Sequence, residues 1–241
     1  VNCSQVGSRR NLAPDPVDAL AERLMAGAAV TGALRSTAAP EHRTAVLTAL
    51  AARYLLAPGV VTASVVGTGQ TVRTQLESLT CYVPDLTHVA VHVLDGTPLD
   101  RDLVDGLHRT GIGLHVAATA AEAVFGANLV VVTSGADLDT WPTHLPSGAL
   151  LVNAGGGELP AAMTSAVDGR FVDDLALLNE ACPHSRPVEA DLRQVVTGER
   201  AGRTGADHVL LVDLLTEQRQ HGQTQEEDHE CRQRTRSSGS S

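Results

Sequence analysis

The sequence predicts an α/β protein built on a doubly wound parallel sheet. Short, apolar, β-branched runs recur at Val60–Val66, His88–Leu94, Leu129–Thr133 and Ala149–Asn153, as expected of strands buried on both faces. Segments with apolar residues at helical spacing lie between them. This alternation continues over most of the 241 residues, and repeated βαβ units are its simplest explanation.

Taken in order, Val1–Pro16 is polar and reads as loose, with Asp15-Pro16 able to start a helix because proline in the first turn loses no needed hydrogen bond. Val17–Ala28 reads as an amphipathic helix with Leu20, Leu24 and Met25 on one face, and Gly32–His42 as a connector broken by Pro40. Arg43–Leu56 is an Ala- and Leu-rich helix stopped by Pro58-Gly59. After the first strand, Gln70–Leu79 is helical with Val72, Leu76 and Leu79 inward, and His88–Leu94 is a strand ending at Asp95. Pro98–His108 (helix), Gly113–Val116 (strand) and Ala120–Phe125 (short helix) follow. Leu129–Thr133 ends in the small polar residues Thr133-Ser134-Gly135, and Trp141–Gly148 is a loop. Ala149–Asn153 runs into a second glycine cluster, Asn153 to Glu158. Ala162–Asp168, Leu175–Ala181 and Glu189–Val196 read as helical, Arg170–Val172 as a brief strand and Val209–Leu215 as apolar. From Gln218 the chain is almost wholly polar and cannot bury enough surface to order itself, so 218–241 is expected to be a disordered tail. His221, His229 and Cys231 lie there at no known ligand spacing, and no metal is expected.

The stretch Val60–Asp95 carries the chemistry. Gly67-Thr68-Gly69 follows the first strand at once and opens the next helix. Gly67 suits a tight turn, and Gly69 lets backbone approach a diphosphate without a Cβ in the way. The helix start at Gln70 would turn unpaired N–H groups and the positive end of its dipole toward an anion. Asp95, at the end of the next strand, can accept ribose hydroxyls, and no arginine adjoins it in sequence to take a 2′-phosphate, which favours NAD over NADP. The third small position of such a fingerprint is Val72 here, so the alternative is a βαβ unit with an empty turn.

Composition limits the remaining classes. Hydrophobic residues make up 43% of the chain and aromatics 2%, so the core is Ala, Val and Leu. All 18 basic residues are arginine, which excludes a lysine Schiff base or lysine general base. A net charge of −10 argues against nucleic acid and anionic membranes as partners. No apolar run is long enough to span a membrane, and VNCSQVGSRR lacks the apolar core of a secretory signal. The cysteines at 3, 81, 182 and 231 are scattered, and reduced thiols in a cytoplasm are the expectation.

Four stretches resemble the ornithine cyclodeaminase/μ-crystallin family: HRTAVLTALAARYL (His42–Leu55), VVGTGQTVRTQL (Val65–Leu76), LPSGALLVNAGGGELP (Leu145–Pro160) and VVTGERAGRT (Val195–Thr204). The likeness runs from about Arg43 to Leu215. It implies a Rossmann-like NAD(P)-binding domain at 43–217, with 1–42 a truncated remnant of a substrate and dimerisation domain. It also implies hydride transfer at the amine-bearing carbon of an amino acid or cyclic imine. By the same resemblance Arg43 grips the substrate carboxylate, for which a guanidinium is suited by its bidentate pairing and permanent charge. Glu158 stands where the family places its catalytic aspartate, one methylene longer. Gly67, Thr68, Gly69, Gln70 and Asp95 match the dinucleotide positions, and Thr133, Asn153 and Ala154 the walls of the nicotinamide pocket.

The departures are specific. The family's catalytic lysine has no counterpart in a chain without lysine, and Ala161-Ala162 replaces its Gly-Lys pair. Family members are longer, mostly at the N-terminus. Two readings therefore stay open. One is an NAD-linked enzyme, acting alone, as a homodimer or with a partner subunit. The other is a truncated, inactive dinucleotide-binding paralogue that serves as a binding or partner protein.

Overall fold

The computed structural model describes residues 15–39, 42–133, 141, 145–157, 159–178 and 187–215. Eight strands within them form one sheet, every pairing parallel. They are β1 (Val61–Gly67), β2 (Leu86–Val93), β3 (Gly113–Val116), β4 (Leu129–Val132), β5 (Leu150–Asn153), β6 (Gly169–Val172), β7 (Ala190–Asp191) and β8 (Leu210–Asp213). Their spatial order is β3-β2-β1-β4-β5-β8-β6-β7.

The register explains why the strands read as continuous apolar runs. Val91, Val65, Val131, Val152, Val212 and Phe171 are successive partners across six strands and lie in one layer on one face. The neighbouring row, with Ala90, Val130, Leu151 and Leu211, belongs to the core on the other face. Both faces need apolar residues, so the sequence shows no alternation. The first face is covered by α1 (Pro16–Met25), α2 (Val30–Thr37), α3 (Arg43–Leu55), α4 (Gly69–Tyr82), α5 (Arg101–Arg109) and α8 (Leu192–Val196); the second by α6 (Ala120–Val124) and α7 (Ala161–Ser165). One continuous core cluster runs from Val17 through α3 and α4 into the sheet and on to Leu214.

The elements begin and end for local reasons. The Asp15 carboxylate accepts the Val17 N–H, and Pro16 fills the first position of α1. Asp191 and Gln194 form a reciprocal capping box at the start of α8. The C-terminal carbonyl of α3 is held from a distance: Arg203 Nε donates to the Leu55 oxygen at 2.8 Å, while its other nitrogens reach the carbonyls of Ala149, Gly205 and His208. A guanidinium at a helix C-terminus also meets the negative end of the dipole. Burial holds the Arg203 pKa below its ordinary value, but its carbonyl partners suit the charged form.

Several sequence expectations are corrected. The supposed connector at Gly32–His42 contains most of α2, because Val30, Ala33 and Leu34 bury fully at spacings of three and four, and that burial outweighs the helix cost of Gly32. Met25 is 58% exposed and does not share the inward face of Leu20 and Leu24. Glu189–Val196 is not one helix: Ala190 and Asp191 first pair with Phe171 and Val172 of β6. Leu175–Leu177 forms a single 3-10 turn. Cys81 is disulfide-bonded, so the expectation of reduced thiols fails there, and with it the support that thiols lent to a cytoplasmic setting. Sequence spacing cannot show which cysteines approach within bonding distance. Glu158, residues 134–140, the first 14 residues and the tail from Gln218 lie outside the described residues.

Among the described residues, no helix is long and apolar enough to cross a membrane. Two phenylalanines test where the stability sits. Phe171 is fully buried between β7 and β8, whereas Phe125 is 88% exposed. Phe171→Ala should cost about 3–5 kcal/mol in urea denaturation, and Phe125→Ala should stay within about 0.5 kcal/mol of wild type.

Candidate functional site

The strand order reverses between β1 and β4. From β1 the chain moves outward to β2 and β3 through α4 and α5 on one face, then returns to β4 through α6 on the other. The carboxyl ends of β1 and β4 adjoin where the strand order reverses, and in open parallel sheets ligands bind in the crevice at that point.

The turn after β1 lies on this crevice and is tightly fitted. A Cβ on Gly67 would fall 1.7 Å from Thr133 Oγ1 and 2.8 Å from Thr71 Oγ1. Gly67 does not have a positive φ, so its requirement is space, not the turn conformation the sequence suggested. The space is taken by a hydroxyl cluster. Thr71 Oγ1 lies 2.6 Å from Thr133 Oγ1, 3.1 Å from Thr68 Oγ1 and 2.9 Å from the Thr68 carbonyl to which it donates. The end of β4 is thereby sewn to the first turn of α4.

Asp95 sits in a turn closed by the Gly96 N–H donating to the Val93 carbonyl, two residues beyond the end of β2. Its carboxylate accepts the Gly69 N–H at 3.2 and 3.3 Å and the Thr97 N–H at 3.1 Å. The Thr97 backbone bond leads the effects that hold its pKa below the ordinary carboxylate value, with Gly69 contributing in the same direction. A Cβ on Gly69 would meet Thr97 Cβ at 2.7 Å. The N–H groups of Gln70 and Thr71 have no hydrogen-bond partner among the described residues. An anion thus already rests on the first N–H of α4, and two further donors stand unpaired.

On the other side of Thr133, β5 ends in Asn153, which is 3% exposed. Asn153 Nδ2 donates to the Gly157 carbonyl and to Asp213 Oδ1, each at 2.9 Å. Asp213 Oδ2 in turn accepts from Arg170 Nε at 2.7 Å. Ala154 and Gly155 N–H both donate to the Val132 carbonyl, which seats the start of the glycine loop beside β4.

The structure therefore brings Gly67, Thr68, Gly69, Gln70, Asp95, Thr133, Asn153 and Ala154 to one edge of the sheet. Arg43 is placed differently. It opens α3, where the Ala45 carbonyl accepts from Ser78 Oγ. Ser78 follows Gly69 by 9 residues on α4, about 13 Å along the helix axis. Arg43 Nε is buried and, among the described residues, has no hydrogen-bond partner and no hydrogen bond or ion pair that joins it to the crevice. Glu158 lies outside the described residues. A cavity of about 150 Å³ opens away from the crevice, between α2, the start of α3 and α4, lined by Ala38, His42, Val46, Ser78 and Tyr82. Among the described residues no group of His, Cys, Asp and Glu could hold a metal.

A family model described as "Ornithine cyclodeaminase/mu-crystallin family" matches residues 28–215. The chain belongs to this family. An ornithine cyclodeaminase of Agrobacterium tumefaciens (strain Ach5) is 27% identical over 186 residues, covering 72% of this chain and 51% of that protein. The chain thus spans about half the length of the relative it matches. An archaeal alanine dehydrogenase dimer with bound NAD has a similar fold, with a TM-score of 0.55 at 20% identity over 71% of this chain and 57% of that one. So has a Thermococcus litoralis Δ1-pyrroline-2-carboxylate reductase in complex with NADH and L-proline, with a TM-score of 0.55 at 19% identity over 71% and 58%.

Sequence reasoning missed Thr71, Thr97, Asp213 and Arg170. The signal for the last two was present: a charged residue closes LLVD and another interrupts GRFV, each inside an otherwise buried strand. Two measurements test the geometry. Gly67→Ala should destabilise the protein by about 1–3 kcal/mol in chemical denaturation, since the added methyl must displace the hydroxyl cluster. The Asp95 carboxyl should titrate below the usual aspartate range by carbon-detected NMR. A depressed folded pKa contributes stability above the unfolded value of about 3.9, lost as pH falls through the folded one. Asp95→Asn should therefore narrow the stability gap to wild type as the pH is lowered below about 4.

Proposed function

We propose that this member of the family binds NAD across the β1/β4 crevice and acts in hydride transfer at the amine-bearing carbon of an amino acid or cyclic imine. The observation that carries this reading is the pair of unpartnered N–H groups, Gln70 and Thr71, at the start of 14-residue α4 with Asp95 anchored beside them. Helix-terminal amides of this kind hold a diphosphate. Asp95 would take the adenine ribose hydroxyls. Arg73, the arginine on α4, is engaged by Glu77 and Asp100, which favours NAD over NADP. Thr133, Asn153 and Ala154 would wall the nicotinamide. When bound, the nicotinamide supplies the hydride acceptor or donor.

In this reading residues 43–217 are the cofactor domain and 1–42 a remnant of the substrate domain. Arg43 would bind the substrate carboxylate. Its buried, unpartnered Nε supports that role, because a buried donor without an acceptor is costly until one arrives. Glu158 would hold and return the proton at the reacting nitrogen. A homodimer or a partner subunit would complete the substrate side. A second reading, an inactive dinucleotide-binding paralogue, is favoured by the absence of lysine from these 241 residues.

Calorimetry on the monodisperse protein should show NAD binding tighter than NADP, and Gly69→Asp should abolish it by placing a carboxylate against the diphosphate. Absence of heat from either cofactor would remove the proposal. Turnover separates the two readings: proline or pipecolate formed from ornithine or lysine above a Glu158→Ala control supports the enzyme, and none supports the paralogue.

A further inference from the structure

A buried polar chain crosses three strands at the carboxyl edge: Asn153 on β5, Asp213 on β8 and Arg170 on β6. Asp213 and Arg170 have side chains only 8% and 13% exposed. A charge pair so enclosed is retained only if its hydrogen bonds are well made, because both charges have been taken out of water. Each Asp213 oxygen has a donor: Oδ1 receives Asn153 Nδ2 at 2.9 Å, and Oδ2 receives Arg170 Nε at 2.7 Å.

This arrangement decides the orientation of the Asn153 amide. An asparagine side chain can usually be turned over, since its oxygen and nitrogen are nearly equal in shape. Here the nitrogen stands between two acceptors, the Asp213 carboxylate and the Gly157 carbonyl. Turning the amide would place three acceptors together with no proton among them. Both N–H bonds are thus committed, and Oδ1 is left without a partner among the described residues although the residue is 3% exposed. Oδ1 is not fully enclosed, so it is an accessible acceptor at the carboxyl edge of the sheet, open to a donor on a ligand lying there.

We infer that Asn153 Oδ1 is an acceptor for the carboxamide N–H of nicotinamide, and that Asp213 and Arg170 are positioning residues that keep the amide from turning over. The inference rests on the proposed NAD site and adds to it how the nicotinamide end is told from other pyridine rings. The same Nδ2 bond to Gly157 holds the glycine loop, so carboxamide recognition and loop placement share one side chain.

Three probes separate the contributions. ADP-ribose lacks the nicotinamide, NAD carries the carboxamide, and 3-acetylpyridine adenine dinucleotide puts a methyl where the carboxamide has its NH2. Wild type should bind NAD about tenfold more tightly than the acetylpyridine analogue, the value of one well-placed hydrogen bond. In Asp213→Asn the new side chain can donate to Asn153, freeing its amide to turn over. The ratio should fall toward one, while ADP-ribose binds within about twofold of wild type by titration calorimetry, the reach of a site left unaltered. Asn153→Ser should lose the ratio in the same way and decides the matter if Asp213→Asn fails to fold. A wild-type ratio near one, or a ratio unchanged in the folded variant, overturns the inference while leaving dinucleotide binding intact. Failure of wild type to bind ADP-ribose overturns the dinucleotide reading itself, and this inference with it.

Discussion

The structure depends on a near-contact of backbone and hydroxyl at the end of β1. Gly67 leaves no room for even a methyl group against Thr133, and Thr133 in turn bonds Thr71 on the first turn of α4. Three separate pieces of chain, the ends of β1 and β4 and the start of α4, are thereby held within hydrogen-bonding distance of each other. A parallel sheet gives each strand end only a diverging loop, so such a fastening has to come from side chains. With it in place, the α4 terminus and the rim of the crevice keep a fixed relation, which is what a preorganised anion site requires.

The edge of the sheet is polar in two different ways. Between β1 and β4 it is built from hydroxyls, backbone amides and one exposed carboxylate, groups that can exchange a protein partner for a ligand or water at small cost. Between β5, β8 and β6 it is built from a buried ion pair and an amide with committed partners. The first kind of edge accommodates; the second orients. A dinucleotide lying across both would meet adaptable groups at its diphosphate and a fixed one at its nicotinamide end. Arg43 belongs to neither edge, and its helix end docks well down α4 from the glycine turn. Family membership is shown for residues 28–215, and the match spans about half the length of the ornithine cyclodeaminase it resembles.

The sequence was most legible where burial was complete. Strands flanked on both faces must be apolar throughout, and their runs stood out between glycine turns. The turn glycines stand out in the sequence, but what confines Gly67 is a threonine 66 residues away in the chain. Asp95 stands out in the sequence because it follows a strand beside a glycine turn, and the structure sets its carboxylate on the Gly69 N–H. Helix α2 lies largely in what reads as a connector broken by Pro40, because propensity yields to the burial of Val30, Ala33 and Leu34. The split of Glu189–Val196 was missed because a two-residue strand has no periodicity to read.

By itself, then, the sequence determined the alternation of elements, the parallel sheet and the place of the glycine turn, since each follows from local pattern and from which residues water excludes. Only the tertiary structure decided which hydroxyl fills the space beside Gly67, which carboxylate caps α4, and which way the Asn153 amide faces. Those outcomes join residues 26, 60 and 66 positions apart, and no local rule specifies a pairing at that separation: it exists only once the strands have been laid side by side.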